Sequence, residues 1–422
     1  MDMWSYIGVI SVVFVFYRFL KKLGHTIPIL ELLLLIAGLQ WIVGAFIEYR
    51  TSFEHYKYYM YVEEVVYMSY VVPAYILFAI VVLYFSNRAK IVGLNTEQLK
   101  KNSSIGILLL IVGLFSDLIA GSVPDTLNFV IYLISAFKYI GVIILFFSNK
   151  KYHIRLFYFA ILYLVTKALT SGFFHELILW GTFFYMFWAF KNKPTLRANL
   201  LTILAGFVIS TTIQAVKSDY RTLIWSGYQG NYGSLFIEIL GKRLSGGLSE
   251  NKSEQEELNV RLNQGWIISA IMEHTPRVQS YAEGSTIDDA IGATLLPRFL
   301  SPNKKIAGGV ENFEKYTGIE LEDNTSMGMS LVGEGYANYG ANGGIVFMVI
   351  WGLVIGLFWL FLIDKCRYNI VLYFFLPLIY LQVVKAETEL VVVLNHLVKA
   401  SILVFVFLWF VNKVLKIDFT HA

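Results

Sequence analysis

Apolar residues in this chain come in long runs, and most of the polar clusters that separate them are short and basic. A helix rises 1.5 Å per residue, so about 20 apolar residues cross a bilayer's hydrocarbon layer. Runs of that length predict spans over 4–20, 28–47, 64–85, 104–121, 127–147, 154–171, 173–190, 198–216, 343–363, 370–385 and 390–412. Ser171-Gly172 must then supply the whole turn between the sixth and seventh. The expected fold class is an all-α polytopic membrane protein with about 11 transmembrane helices. One large, partly helical extracytoplasmic loop separates spans 8 and 9. The implied organisation is 1–216 for spans 1–8, 217–340 for the loop and 341–422 for spans 9–11.

Composition agrees with a bilayer as solvent. The chain is 57% hydrophobic and 15% charged, with a mean hydropathy of +0.60. Soluble domains sit near about 45–50% apolar and about 25% charged. A net charge of +4 does not suggest a nucleic-acid partner. A single cysteine, Cys366, rules out an internal disulfide and any cysteine-built metal site. The first apolar run lacks a basic start and a small-residue cleavage site, so it reads as a retained span and not a cleaved signal.

Basic residues set the orientation. With the connection after the first span in the cytoplasm, the inner segments hold seventeen Lys and Arg, from Arg18, Lys21 and Lys22 to Lys413 and Lys416. The short outer loops hold three: Arg50, Lys57 and Lys385. The amino terminus is therefore expected outside, the carboxyl terminus in the cytoplasm and the 217–340 segment outside.

That segment is too long for a plain connector. Ser253-x-x-Glu256 has the form of a capping box and predicts a helix from Glu254 to about His274, stopped by Pro276. Ser285-Thr286, followed by Asp288 and Asp289, predicts a second helix that Pro297 closes. The segment carries 11 basic and 16 acidic residues, so any anion site in it must be local. Arg261, Arg277, Arg298, Lys304 and Lys305 supply such a cluster, and guanidinium groups suit bidentate phosphate contacts. An isolated Arg more commonly decorates a solvated surface. Arg298 stands out because prolines and apolar residues flank it. Further on, Gly333-Glu334-Gly335-Tyr336 leads into the ninth span. A carboxylate between two glycines is placed where backbone or substrate can come close. Equally, it can be a softened helix start whose Glu334 pairs a nearby Arg.

Asp117, Lys138, Lys167, Glu176, His396 and Lys399 fall in or near spans, where charge is costly unless paired or hydrated. His396 and Lys399 share a helix face, roughly 9–14 Å below the outer edge of the last span. Each has a structural reading as an internal ion pair; Lys138 and Lys167 can bridge to Asp117 or Glu176 or snorkel. The sequence has no Gly-Lys-Ser phosphate loop, no His-Glu-x-x-His and no Asp-x-Asp pair.

The spans, the late outer loop, Pro297-Arg298-Phe299-Leu300-Ser301-Pro302-Asn303-Lys304 and Gly333 to Gly340 together resemble the Wzy-type O-antigen polymerases of bacterial envelopes. The architectural likeness covers most of the chain, and the residue-level likeness is confined to about 255–345. Arg298 and Gly309 fit an Arg-to-Gly spacing found in some members; the other four loop arginines do not. The resemblance implies a metal-independent, inverting glycosyltransferase without a cofactor, in the bacterial cytoplasmic membrane. It would join undecaprenyl-diphosphate-linked oligosaccharide repeat units into O-antigen or another surface polysaccharide. Its partners would be those lipid-linked oligosaccharides, membrane lipids and a chain-length regulator protein. On this reading Arg298 and Arg261 hold the diphosphate and Glu334 is the candidate base. Arg221, Arg277, Lys304, Tyr336, His396 and Lys399 would line the substrate. The alternatives are an O-antigen ligase, another lipid-linked sugar transferase, a flippase or secondary transporter, and an envelope scaffold.

Overall fold

The computed structural model describes residues 3–51, 58–89, 103–245, 263–295, 309–321 and 325–416, and every regular element among them is helical. In chain order these are α1 (Met3–Lys22), α2 (Ile29–Glu48), α3 (Glu64–Arg88), α4 (Ser104–Ile119), α5 (Asp125–Ser135), α6 (Phe137–Phe146), α7 (Lys151–Ser171), α8 (Phe174–Asn192) and α9 (Leu196–Trp225). Then follow α10 (Tyr232–Ser245), α11 (Gly265–His274), α12 (Ser285–Leu295), α13 (Val310–Thr317), α14 (Leu331–Cys366), α15 (Leu372–Ile379) and α16 (Leu390–Lys413). Nine helical stretches among the described residues are long and apolar enough to cross a membrane, α5 and α6 together forming one of them. The chain is a polytopic helical membrane protein. The expected span 173–190 is helical as α8, but its polar ends, with His175, Glu176 and Lys191, keep it out of the nine.

The chain folds into two compact units, one of residues 1–19, 28–91 and 259–422, the other of 20–27 and 92–258. In the first, α3 lies along α14 at close range. Gly352 and Gly356 allow it: a Cβ on Gly356 would run into the Phe85 ring, and one on Gly352 would press on Phe78 and Val81. Between apolar helices in lipid, such small residues are what let backbones approach. Buried tyrosines on α3 add polar ties, Tyr67 Oη to Trp41 O (2.8 Å), Tyr70 Oη to Val332 O (2.6 Å) and Tyr75 Oη to Leu34 O (3.0 Å). Lipid offers these hydroxyls no partner, so each finds a backbone carbonyl.

Two sequence expectations change in this unit. Residues 370–385 do not form one spanning helix: α15 has eight residues with Pro377 inside it and gives way to turns. At 1.5 Å per residue it is about 12 Å long, too short to cross. The chain still returns past α14. Tyr380 Oη donates to Ile355 O (3.3 Å), and Leu390 N reaches Glu334 at the start of α14 (2.7 Å). Irregular backbone at that depth is tolerable where protein surrounds it, and 370–381 are buried or nearly so. Nor does one helix run from Glu254 to His274. It starts at Gly265, because Asn263 Oδ1 accepts from Gly265 N (2.8 Å) in a side-chain-closed turn; the capping box at 253–256 lies outside the described residues. Thr275, extended before Pro276, ends the helix as expected.

In the second unit α4 and α6 pack through glycine. A Cβ on Gly141 would stand 2.6 Å from Gly106 O, and one on Gly113 would meet the Lys138 backbone. That approach brings Lys138 Nζ to Asp117 Oδ1 at 2.9 Å, while Lys167 Nζ from α7 lies 2.5 Å from Asp117 Oδ2. Gly172, left-handed at φ 70°, closes α7 and turns the chain into α8, as the Ser171-Gly172 reading requires.

Candidate functional site

Three helices of the first unit meet at one carboxylate. Glu334 is in the first turn of α14, 1% exposed. Its Oε1 accepts from Thr286 Oγ1 of α12 (2.8 Å) and its Oε2 from Leu390 N of α16 (2.7 Å). Leu390 carries one of the orphan amides that begin a helix, so an anion there is favoured by both hydrogen bonding and the helix dipole. Asn338, one turn after Glu334, extends the network. Its Nδ2 donates to Thr286 Oγ1 (2.7 Å) and to Glu334 O (2.8 Å), and its Oδ1 accepts from Gly284 N (2.9 Å).

The two glycines around Glu334 have a packing reason. A Cβ on Gly333 would press on Ile271 of α11 (2.9 Å), and one on Gly335 on Phe347 (2.8 Å). Five residues later Gly340 takes φ 67° and ψ −167°, which breaks the helical course of α14 and turns the Glu334 segment away from the membrane-crossing part. A Cβ there would sit 2.8 Å from Tyr281 Oη.

Beside this network lies a groove of about 670 Å³, lined mainly by apolar side chains that include Ile287 and Ile291 of α12, Val346 and Ile350 of α14, and Leu390 and Leu394 of α16. Thr286 and Leu390 both bond Glu334, and the groove residues follow at matching four-residue steps. So α12 and α16 both begin at Glu334 and line the groove from there.

The remaining sequence candidates disperse. Tyr336 is half-buried, edge-on to Tyr70 (5.1 Å) and Tyr281 (6.3 Å). Buried His396 meets Leu378 O through Nε2 (2.7 Å) and so ties α16 to the broken α15, while Lys399, one turn on, is half-buried. Arg277 is exposed and ion-paired with Glu273 one helical turn before it (2.6 Å). Arg221 belongs to the other unit, where its Nε donates to Gly172 O (2.9 Å) and its guanidinium packs on Phe173 and Trp225. That arrangement caps α7. Arg261, Arg298 and Lys304 lie outside the described residues.

Reading the sequence singled out Glu334 but not its partners. Thr286 entered only as a helix start and Asn338 only within a motif. The four-residue step from Glu334 to Asn338 was the available signal, since it puts both on one helix face. No protein-family model matches the chain, and neither does any curated protein or solved structure.

Proposed function

We propose that the chain is a glycosyltransferase acting on lipid-linked sugars, of the repeat-unit polymerase type. It would transfer a growing chain from undecaprenyl diphosphate to a hydroxyl of the next lipid-linked unit. The observation that carries this reading is the apolar groove ending at the Glu334 network. Its volume falls in the roughly 300–1,000 Å³ range of small-molecule sites. Its lining suits a prenyl chain, and a polar cluster bounds the end where a head group would sit.

A diphosphate leaving group carries its own negative charge, and fixed cations can stabilise its departure. Arg298 follows the last residue of α12 by three positions, and Lys399 lies on α16. Arg261 precedes α11 by four residues, and α11 packs on Gly333. The resemblance assigns the diphosphate to Arg298 and Arg261, with Lys399 in support, and of the first two only Arg261 adjoins, in the chain, a helix packed at the Glu334 end. Glu334, with both oxygens engaged, is better suited to holding α12, α14 and α16 around the groove than to taking a proton directly. Serving as base would require release of Thr286 or Leu390.

Deleting the gene separates this reading from its nearest rival. Loss of a polymerase leaves single repeat units on the cell surface; loss of a ligase leaves none. A second reading, transport, is favoured by the Asp117–Lys138–Lys167 cluster, since buried charges mark pathways in transporters. Lipid-linked units accumulating on the inner face after deletion would point to it.

A further inference from the structure

The second unit holds a half-open pocket of about 410 Å³ lined by both charged and apolar side chains. The chain reaches it from four directions: the end of α4 (Asp117), the start of α5 (Asn128), the end of α7 (Lys167) and the start of α8 (Glu176). Lys138 and Ser135 are buried within its lining, and Asn128, Ala120 and Phe173 form an exposed rim. Tyr132 and Tyr139 give aromatic walls, with Tyr139 held flat against Trp180 (4.8 Å, 5° between planes).

The charges in this cavity balance, two lysines against Asp117 and Glu176. Asp117 spends one oxygen on Lys138 and the other on Lys167. A charged ligand would have to compete with Asp117 or Glu176 for a lysine, and separating the buried Lys138 from Asp117 is costly. An uncharged ligand with many hydroxyls need not. It can accept from the ammonium groups, donate to carboxylate and tyrosine oxygens, and lay its C–H faces on the aromatic walls. We propose that this cavity is a binding site for an uncharged sugar ring. The site stands on its own lining and holds whether or not the first unit transfers glycosyl groups.

The test uses the full chain in lipid nanodiscs, free of sugar detergents, and reads ligand binding by saturation-transfer NMR. The probes are N-acetylglucosamine and galactose in solution, octyl glucoside in the disc, and inorganic phosphate and glycine as charged comparators. Saturable binding of the neutral sugars, with neither comparator displacing them, is expected. Tighter binding of octyl glucoside would assign the site to a lipid-borne sugar, and equal binding to a soluble one; both uphold it. Two variants spare the buried Lys138–Asp117 pair. Lys167→Met should weaken sugar binding at least about fivefold, and Ala120→Trp, on the rim, should abolish it, both with an unchanged melting temperature. The proposal is overturned if no neutral sugar gives a saturable signal, if phosphate or glycine takes the site, or if both variants bind as the wild type does.

Discussion

Removing the Glu334 carboxylate should loosen the first unit by an amount that its hydrogen bonds fix in advance. Two buried donors point at it, Thr286 Oγ1 at 2.8 Å and Leu390 N at 2.7 Å. A buried donor left without an acceptor costs roughly 1–3 kcal/mol. Glu334→Ala strands both, for about 2–6 kcal/mol before any cavity cost. Glu334→Gln keeps one amide oxygen, which the Leu390 amide can hold. The new NH2 then faces Thr286, whose hydroxyl already accepts from Asn338 and must reorient. That leaves one donor unmet, about 1–3 kcal/mol. A destabilisation of 1 kcal/mol lowers the melting temperature by about 2–4 °C in a unit of roughly 150–250 residues. Thermal unfolding in nanodiscs should therefore fall by several degrees for Glu334→Gln and on the order of 10 °C for Glu334→Ala. Thr286→Val should combine with Glu334→Gln less than additively, since the two share one contact. An alanine variant that melts with the wild type would refute the tie between α12, α14 and α16.

Four further substitutions have defined outcomes. Arg298→Ala should abolish chain elongation while membrane insertion, measured by immunoblot of the membrane fraction, stays normal; elongation at the wild-type rate would remove Arg298 from the site. Val346→Trp, which fills the apolar groove, should raise the KM for lipid-linked substrate at least tenfold and spare thermal stability; an unchanged KM would mean the lipid binds elsewhere. Asp117→Asn leaves the buried Lys138 ammonium without its counter-charge and should cost about 3–5 kcal/mol, and pairing it with Lys138→Met should recover most of that; unfolding temperatures of the single and double variants decide it. Gly356→Leu should separate α3 from α14 and lower the yield of folded protein on size-exclusion chromatography; a normal profile would show that this close approach is dispensable.

Much of the fold was legible because lipid imposes one rule on every span. A stretch that must bury its own backbone and face hydrocarbon has to be long, apolar and helical, and hydropathy alone reads that. Where protein replaces lipid as the neighbour, the rule lapses. Residues 370–385 are as apolar as a span, yet the chain breaks within them, and only Pro377 hinted at it. The four-residue spacing of Ile287 and Ile291 predicts an amphipathic helix, but nothing in it says that the helix lies beside α16. The Gly-Glu-Gly motif was visible, and its location proved informative. Its chemistry read differently, because Glu334's decisive partner is the Leu390 backbone amide, a group that every residue but proline carries and that leaves no mark in a sequence. Charges fared better. Lys138, Lys167 and Asp117 had to find one another within an apolar bundle, and three glycines on α4 and α6 allow it.

The central proposal is that a growing glycan moves from one lipid diphosphate to a sugar hydroxyl of the next lipid-linked unit. The most direct measurement supplies the purified protein in nanodiscs with undecaprenyl-diphosphate-linked repeat units, adds neither nucleotide nor divalent metal, and resolves the products on a gel. The account predicts a ladder of lengthening chains that Arg298→Ala loses. Single repeat units persisting unchanged, with protein that binds the lipid and melts normally, would contradict it.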